Sequence, residues 1–511
     1  MASFFEQSDR NVIPNWRSFE NTTKMGEING FEPAGLNTNF KPDISDLEND
    51  WQLDKNIGIA AELISLGSAF GIVSDTINEA GKFVLENKSQ SSKELIRTAS
   101  NFSSYNKQLG KASPEISDLN VFNNYNNLDL IFDQIRELKK RLIANPRNPI
   151  SWIDLSRYYS ILGQNDQARK SILNAVYLIP NNRFVLRSMA RFFAHIGEID
   201  MAHDIIRRQP ITKMDPWLTA TEISLASIRG RNSMFVKSGM NFIDSKKLSH
   251  FNLSEVASAI GTLEMTNGSH KKSKKLFQFS LQNPNDNALA QAEWAFKKDQ
   301  NLGLIMPAQQ IEENYFEAAA RSFYDKKDWK GALENATQWF LDLPFSKSPI
   351  VFGSHIARTH LDDHQKAIEL GKIGLISHPN DAILINNLIY SYCILDELTE
   401  AETLVNKYDN LAKTEHENIY WLATKGLFFF RTGFPDAGRH FYHLAIEDAR
   451  KLKNKLVFNL AVVNYTREEI RINSEYADPL MSQLEMHLKG EENAAILKTK
   501  REIDEILKER T

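Results

Sequence analysis

WIDLSRYYSILGQNDQARKSILNAVYLIP, residues 152–180, sets Trp152, Leu155, Ser156, Tyr159, Gly163, Ala168, Ala175 and Pro180 at intervals that suggest a template. Moved forward by 34 residues the template fits again. Leu186, Met189, Ala190, Phe193, Gly197 and Ala202 take the corresponding places, and Pro146 and Pro180 are one period apart. Large residues three and four apart form one face of a helix. A small residue on that face lets a second helix approach, and glycine after it supplies a left-handed cap that ends the first helix. The unit is therefore a helical hairpin, repeated.

A second run begins with NYFEAAARSFYDKKDWKGALENATQWFLDLP, which places Phe316, Ala320, Phe323, Ala332 and Pro344 on the same positions. Ala367 and Pro379 continue it, followed by Ile385, Leu388, Tyr392, Ala401 and Val405, and then by Leu422, Gly426, Phe429, Gly433 and Ala445. A period of 34 residues is that of the tetratricopeptide repeat. The chain resembles that family over roughly residues 127–470, in two clusters. The resemblance implies an all-α fold, a TPR-like right-handed α-α superhelix of helical hairpins in two segments.

The expected organisation is a flexible arm over 1–50, a helical region and connection over 51–126, and a first solenoid with degenerate repeats over 127–296. A break or bend over 297–311 follows, where KKDQNLGLIMPAQQI loses the period and would open the shape into a two-part arc. A second solenoid covers 312–470, and amphipathic capping helices cover 471–511. A polar outer helix is what the end of a stacked array requires. LDLIFDQIRELKKRLIANP, with Ile131, Ile135, Leu138 and Leu142 on one face, reads as the helix covering the first complete repeat.

Bulk properties restrict function. The 511 residues are 42% hydrophobic and 25% charged, enough apolar material for a large core, and a net charge of -4 gives no overall field for nucleic acid or anionic membrane. The single cysteine, Cys393, excludes an internal disulfide and reads as a small core residue. The first thirty residues lack a secretory signal pattern, and the most apolar window, 57–73, carries Glu62 and falls short of a membrane span. A cytoplasmic protein with no membrane span is the expectation.

No GxxxxGK[ST], GxSxG or HExxH motif occurs. His355, His360 and His364 in HIARTHLDDH straddle a turn and read as solvated turn residues. HKKSKK, residues 270–275, is a brief basic run without interleaved aromatics. No catalytic residue, cofactor or metal is expected.

In the resembled family the first helices of the hairpins line a concave groove. Carried onto this sequence, its groove positions are Arg157, Arg187, Arg191, His195, Arg321, Tyr324, Asn386 and Tyr390. Arginine forks suit carboxylates, while Tyr and Asn supply adaptable hydrogen bonds, so the groove fits a protein or peptide partner with acidic groups. The Lys and Asn arrangement of the family's carboxylate clamp for chaperone termini is absent. The expected function is a non-catalytic scaffold or adaptor. The alternative is a regulatory or specificity subunit whose catalytic chain is separate, and a helical-repeat nucleic-acid binder is the least favoured reading.

Overall fold

The described residues of the chain, in a computed structural model, are 44–70, 74–91, 95–96, 98–99, 128–306, 315–411, 413–488 and 490–509. The readings for residues 1–43, most of the connection before 128, and the end of the 297–311 break fall outside them. Backbone contacts divide the described residues into two units, one ending at Leu130 and the other beginning at Ile131.

The smaller unit contains α1 (Ser45–Leu53), α2 (Ile57–Phe70) and α3 (Asp75–Glu86). The apolar window at 57–73 contributes a buried helix, as its composition suggests: Ala60, Leu63 and Ile64 of α2 pack with Trp51, Ile77, Ala80 and Val84. Ser74 caps α3 by accepting from the Ile77 amide, and the Trp51 indole donates to Glu79.

In the larger unit, α4 (Leu128–Ala144) buries Ile131, Ile135, Leu138 and Leu142 on the face expected from their spacing. Helical hairpins follow. They are α5 (Pro149–Ile161) with α6 (Asn165–Leu178), α7 (Arg183–His195) with α8 (Ile199–Arg208), α9 (Pro216–Ile228) with α10 (Val236–Ser245), and α11 (His250–Thr266) with α12 (His270–Ser280). The single helix α13 (Asp286–Lys298) ends the first cluster, and the period fails after it in a short 3-10 turn, Gln300–Leu302. The second cluster pairs α14 (Phe316–Asp325) with α15 (Trp329–Asp342), α16 (Lys347–His360) with α17 (His364–Ser377), and α18 (Ala382–Ile394) with α19 (Leu398–Asp409). It ends with α20 (Glu415–Arg431) and α21 (Pro435–Lys451), α22 (Lys455–Arg471) and α23 (Ala477–His487), and the terminal α24 (Ala494–Lys508). No β-strand occurs among the described residues. The fold is a TPR-like α-α solenoid.

Each template position has a visible physical role. Gly163, Gly197 and Gly433 adopt φ of 67°, 80° and 84° where their hairpins turn, a conformation that costs other residues more. The small residue of the first helix sits where the helices cross: the Ser156 hydroxyl donates to the Ala168 carbonyl at 2.8 Å. At Gly426 an added Cβ would lie 2.7 Å from the Tyr442 ring.

Within the larger unit the two clusters also touch. The Arg157 guanidinium donates to the Asp342 carbonyl at 3.2 Å, Gly163 lies against the Ile376 and Ser377 carbonyls, and His195 packs edge-on against Phe345 and His378. The terminal helix α24 buries Ile496 and Ile503 in the core that α22 shares. Its Lys498 also donates to the Arg358 carbonyl of α16 at 2.6 Å.

Candidate functional site

The inner helices α18, α20 and α22 line a small recess, open on one side, with about 30 Å³ of free space. Each of the three is fixed at its start by a local cap. Asp381 accepts from the Leu384 amide, Thr414 and Glu417 form a reciprocal capping box, and Asn454 accepts from the Val457 amide. Such caps satisfy otherwise orphaned amides and set where each helix begins, and with it which side chains face inward. Asn386, Asn387 and Tyr390 line the recess from α18, Tyr420 and Thr424 from α20, and Asn464 from α22, over an apolar wall that includes Leu427, Val457 and Leu460.

Two of these amides are unsatisfied. Asn386 Oδ1 and Asn387 Nδ2 are buried without a hydrogen-bond partner, one an acceptor and the other a donor. A buried polar group left unpaired costs about 1–3 kcal/mol, so these two call for a partner, either water or another molecule. Asn464 is committed differently: its Nδ2 donates to the Leu460 carbonyl at 2.8 Å, and its Oδ1 accepts from the Tyr390 hydroxyl at 3.4 Å. The Tyr442 hydroxyl beneath is buried, which pushes its pKa well above 10 and keeps it protonated.

An ion network lies behind Tyr390. Arg431 holds Glu468 through Nε at 2.6 Å and Nη2 at 3.2 Å. Arg467 bridges Glu468 and Glu502, each at 2.8 Å. Burial opposes ionisation of Glu468, but the Arg467 and Arg431 charges outweigh it and hold the carboxyl below its usual range.

Of the residues expected at a groove, the structure brings Asn386 and Tyr390 to this recess. The others lie elsewhere. Arg157, Arg191 and His195 face the junction of the clusters, where Arg191 is desolvated to a pKa of about 10 and Arg191 Nε and His195 Nε2 are unpaired. Arg187 forms a two-pronged pair with Glu255, at 2.7 and 2.9 Å, over the Trp217 ring. Arg321 pairs with Glu317 at 3.0 Å. The Tyr324 hydroxyl lies 3.1 Å from His360 Nε2 and 3.4 Å from His355 Nε2.

The histidines of HIARTHLDDH require a correction, because they are not solvated. His364 is buried beside Lys498, 3.1 Å away, and His360 stacks on Trp329. Burial, with neighbouring positive charge, brings His355 and His364 each down to about 3. The turn stays exposed at Asp362, but Lys498 of α24 covers His364 beside it. Cys393 is buried, and burial pushes its thiol up to about 12.

Sequence reasoning missed Asn387, Tyr420, Thr424 and Asn464. Extending the groove positions through α20 and α22 was the available signal. Among the described residues, no group of His, Cys, Asp or Glu is arranged to hold a metal ion, and no helix is long and apolar enough to cross a membrane.

The hairpins define a TPR-like helical-repeat protein. The chain matches no protein-family model and no curated protein sequence. Solved structures with a similar course include the Cut9–Hcn1 hetero-tetramer of the APC/C, at 13% identity over 86% of this chain and 92% of that one, with a TM-score of 0.37. A human IFIT1 dimer with PPP-AAAA shares 14% identity over 74% and 95% of the two chains, with a TM-score of 0.34. Yeast Tom70 shares 12% over 76% and 95%, with a TM-score of 0.27. The likeness extends to helical-repeat architecture and to nothing finer.

Proposed function

We propose that the chain is a non-catalytic scaffold that holds an extended segment of a partner protein in the recess of α18, α20 and α22. The observation that carries this reading is the unpaired acceptor of Asn386 beside the unpaired donor of Asn387, both buried at an apolar-walled recess. An extended peptide presents one donor and one acceptor per residue and has side chains for the apolar wall. The remaining lining consists of amides, hydroxyls and hydrocarbon, which suits recognition rather than proton or group transfer. Binding on preformed helices also limits ordering costs to the partner's side.

The test places a photo-crosslinking residue at Thr424 in the full chain and identifies what it captures in native cells. One protein captured through one short segment, and lost in the Asn386→Ala/Asn387→Ala variant, supports the recess. Capture that is indifferent to those substitutions rejects it.

A further inference from the structure

Arg358 of α16 follows the place that most of the hairpins fill with a ring. That place is marked by the carbonyl that accepts from the amide after the turn residue: it belongs to Tyr159, Phe193, Phe323, Tyr392 and Phe429 in other hairpins and to Ala357 here. Two other hairpins carry a charge there, and both charges are paired: Glu264 with Lys272 and Glu469 with Arg439. Arg358 has no such partner. It is 2% exposed, and its Nε and Nη1 make no hydrogen bond.

The surroundings explain neither the charge nor its position. Five cations, Arg358, Arg431, Arg467, Arg471 and Lys498, share this region with four carboxylates, Asp362, Asp396, Glu468 and Glu502. All the cations except Arg358 reach a carboxylate, so it carries the excess charge. Two further buried donors nearby are also unpaired, Arg467 Nη2 and His364 Nδ1. Tyr390 connects these groups to the recess: its hydroxyl lies 3.4 Å from Arg467 Nη1 and its ring is 6.1 Å from that of His364, which Lys498 joins to the Arg358 carbonyl. Buried charges are ordinarily paired.

We infer that Arg358, with Arg467 and His364 around Tyr390, forms an anion subsite at the end of the recess that takes an aspartate or glutamate side chain of the bound segment. The inference rests on the recess reading and narrows its partner to an acidic peptide. Arginine suits the task because its planar fork can grip both carboxylate oxygens. Lys498 of α24 already contacts the Arg358 carbonyl, Asp362 and Glu502, so α24 forms part of the wall.

The test pans a library of random twelve-residue peptides on the full chain. Synthetic copies of the enriched sequences are then measured on wild type, Arg358→Met and Asn387→Ala. The expected result is a fixed Asp or Glu in the enriched peptides, with affinity falling at least about tenfold on its change to Asn or Gln and equally on Arg358→Met. Arg358→Met should melt at or above the wild-type temperature, because it removes an unpaired buried charge and keeps an apolar stem. If peptides depend on Asn387 but bind wild type and Arg358→Met alike, the subsite is overturned and the recess stands. If binding ignores Asn387 as well, both readings fall. Loss of binding on amidating the peptide's C-terminus, with no effect at the acidic side chain, overturns the side-chain assignment. A lower melting temperature for Arg358→Met makes Arg358 a structural anchor and also overturns it.

Discussion

Arg187 and Glu255 behave as a closed unit. Both are buried, Glu255 also accepts from Asn285 at 2.7 Å and Asn287 at 3.1 Å, and the ion pair ties α7 to α11. Burial works to raise the Glu255 pKa, but the Arg187 charge and these hydrogen bonds outweigh it and hold the carboxyl below 4.5. Its contribution is complete above the unfolded value near 4.5 and is lost as pH falls through the lower folded value. Removing one member of a buried pair strands the other, at about 3–5 kcal/mol. Arg187→Ala should lose that much in urea unfolding at pH 7, whereas a loss below about 1 kcal/mol, the range of surface pairs, would contradict the burial seen here. The buried histidines act in a different window. His355 and His364 stay neutral in the folded chain down to about 3, while the unfolded chain takes up protons near 6.5, so stability declines as pH drops below that value. The melting temperature should therefore be lower at pH 5 than at pH 7, and His355→Gln/His364→Gln should reduce the difference; an unchanged difference would mean these rings are hydrated.

At the scale of the element, each hairpin depends on a turn residue with positive φ, and only some turns use glycine. Lys327, Asp362, Asp396 and Asn473 adopt φ of 60°, 55°, 57° and 54° at the places where Gly163, Gly197 and Gly433 stand in other hairpins. A non-glycine residue there costs about 1–2 kcal/mol, partly offset by the greater freedom glycine has when unfolded. Lys327 is exposed, so Lys327→Gly should leave packing intact and raise stability by about 0.5–1 kcal/mol; a loss on thermal unfolding would show that the lysine side chain contributes more than its backbone costs. These substitutions also explain what could be read in advance. The repeat survived them because its small and aromatic positions, such as Ala320 and Phe323, report helix crossing independently of the turn. Asn386 and Tyr390 were legible because groove positions keep a fixed place in the hairpin. Arg358, in the quoted HIARTHLDDH run, was not, because its burial without a carboxylate partner is a tertiary fact. The fates of Arg187 and Arg321 were hidden for another reason: Glu255 comes from a hairpin 68 residues away, and Glu317 is one of many helical carboxylates.

Across the whole larger unit, the distinctive feature is the return of the second repeat cluster to the first, and it can be isolated with two glycines. Gly163 and Gly197 stand at equivalent turns with φ of 67° and 80°, so alanine costs each the same backbone strain, about 1–2 kcal/mol. Their surroundings differ. A Cβ on Gly197 meets open space, whereas one on Gly163 would lie 2.9 Å from the Ile376 carbonyl and 3.3 Å from that of Ser377. A main-chain carbonyl at the end of α17 cannot swing aside as a flexible side chain does, so the turn and α17 must separate. Separation would also strain the bond from Arg157 to the Asp342 carbonyl and the packing of His195 on Phe345 and His378. Gly197→Ala should therefore lower stability without changing the solution dimensions. Gly163→Ala should lower it further and, in small-angle X-ray scattering, increase the radius of gyration, with faster amide exchange at the C-terminal end of α17. Equal effects from the two variants would mean that the clusters meet without binding one another.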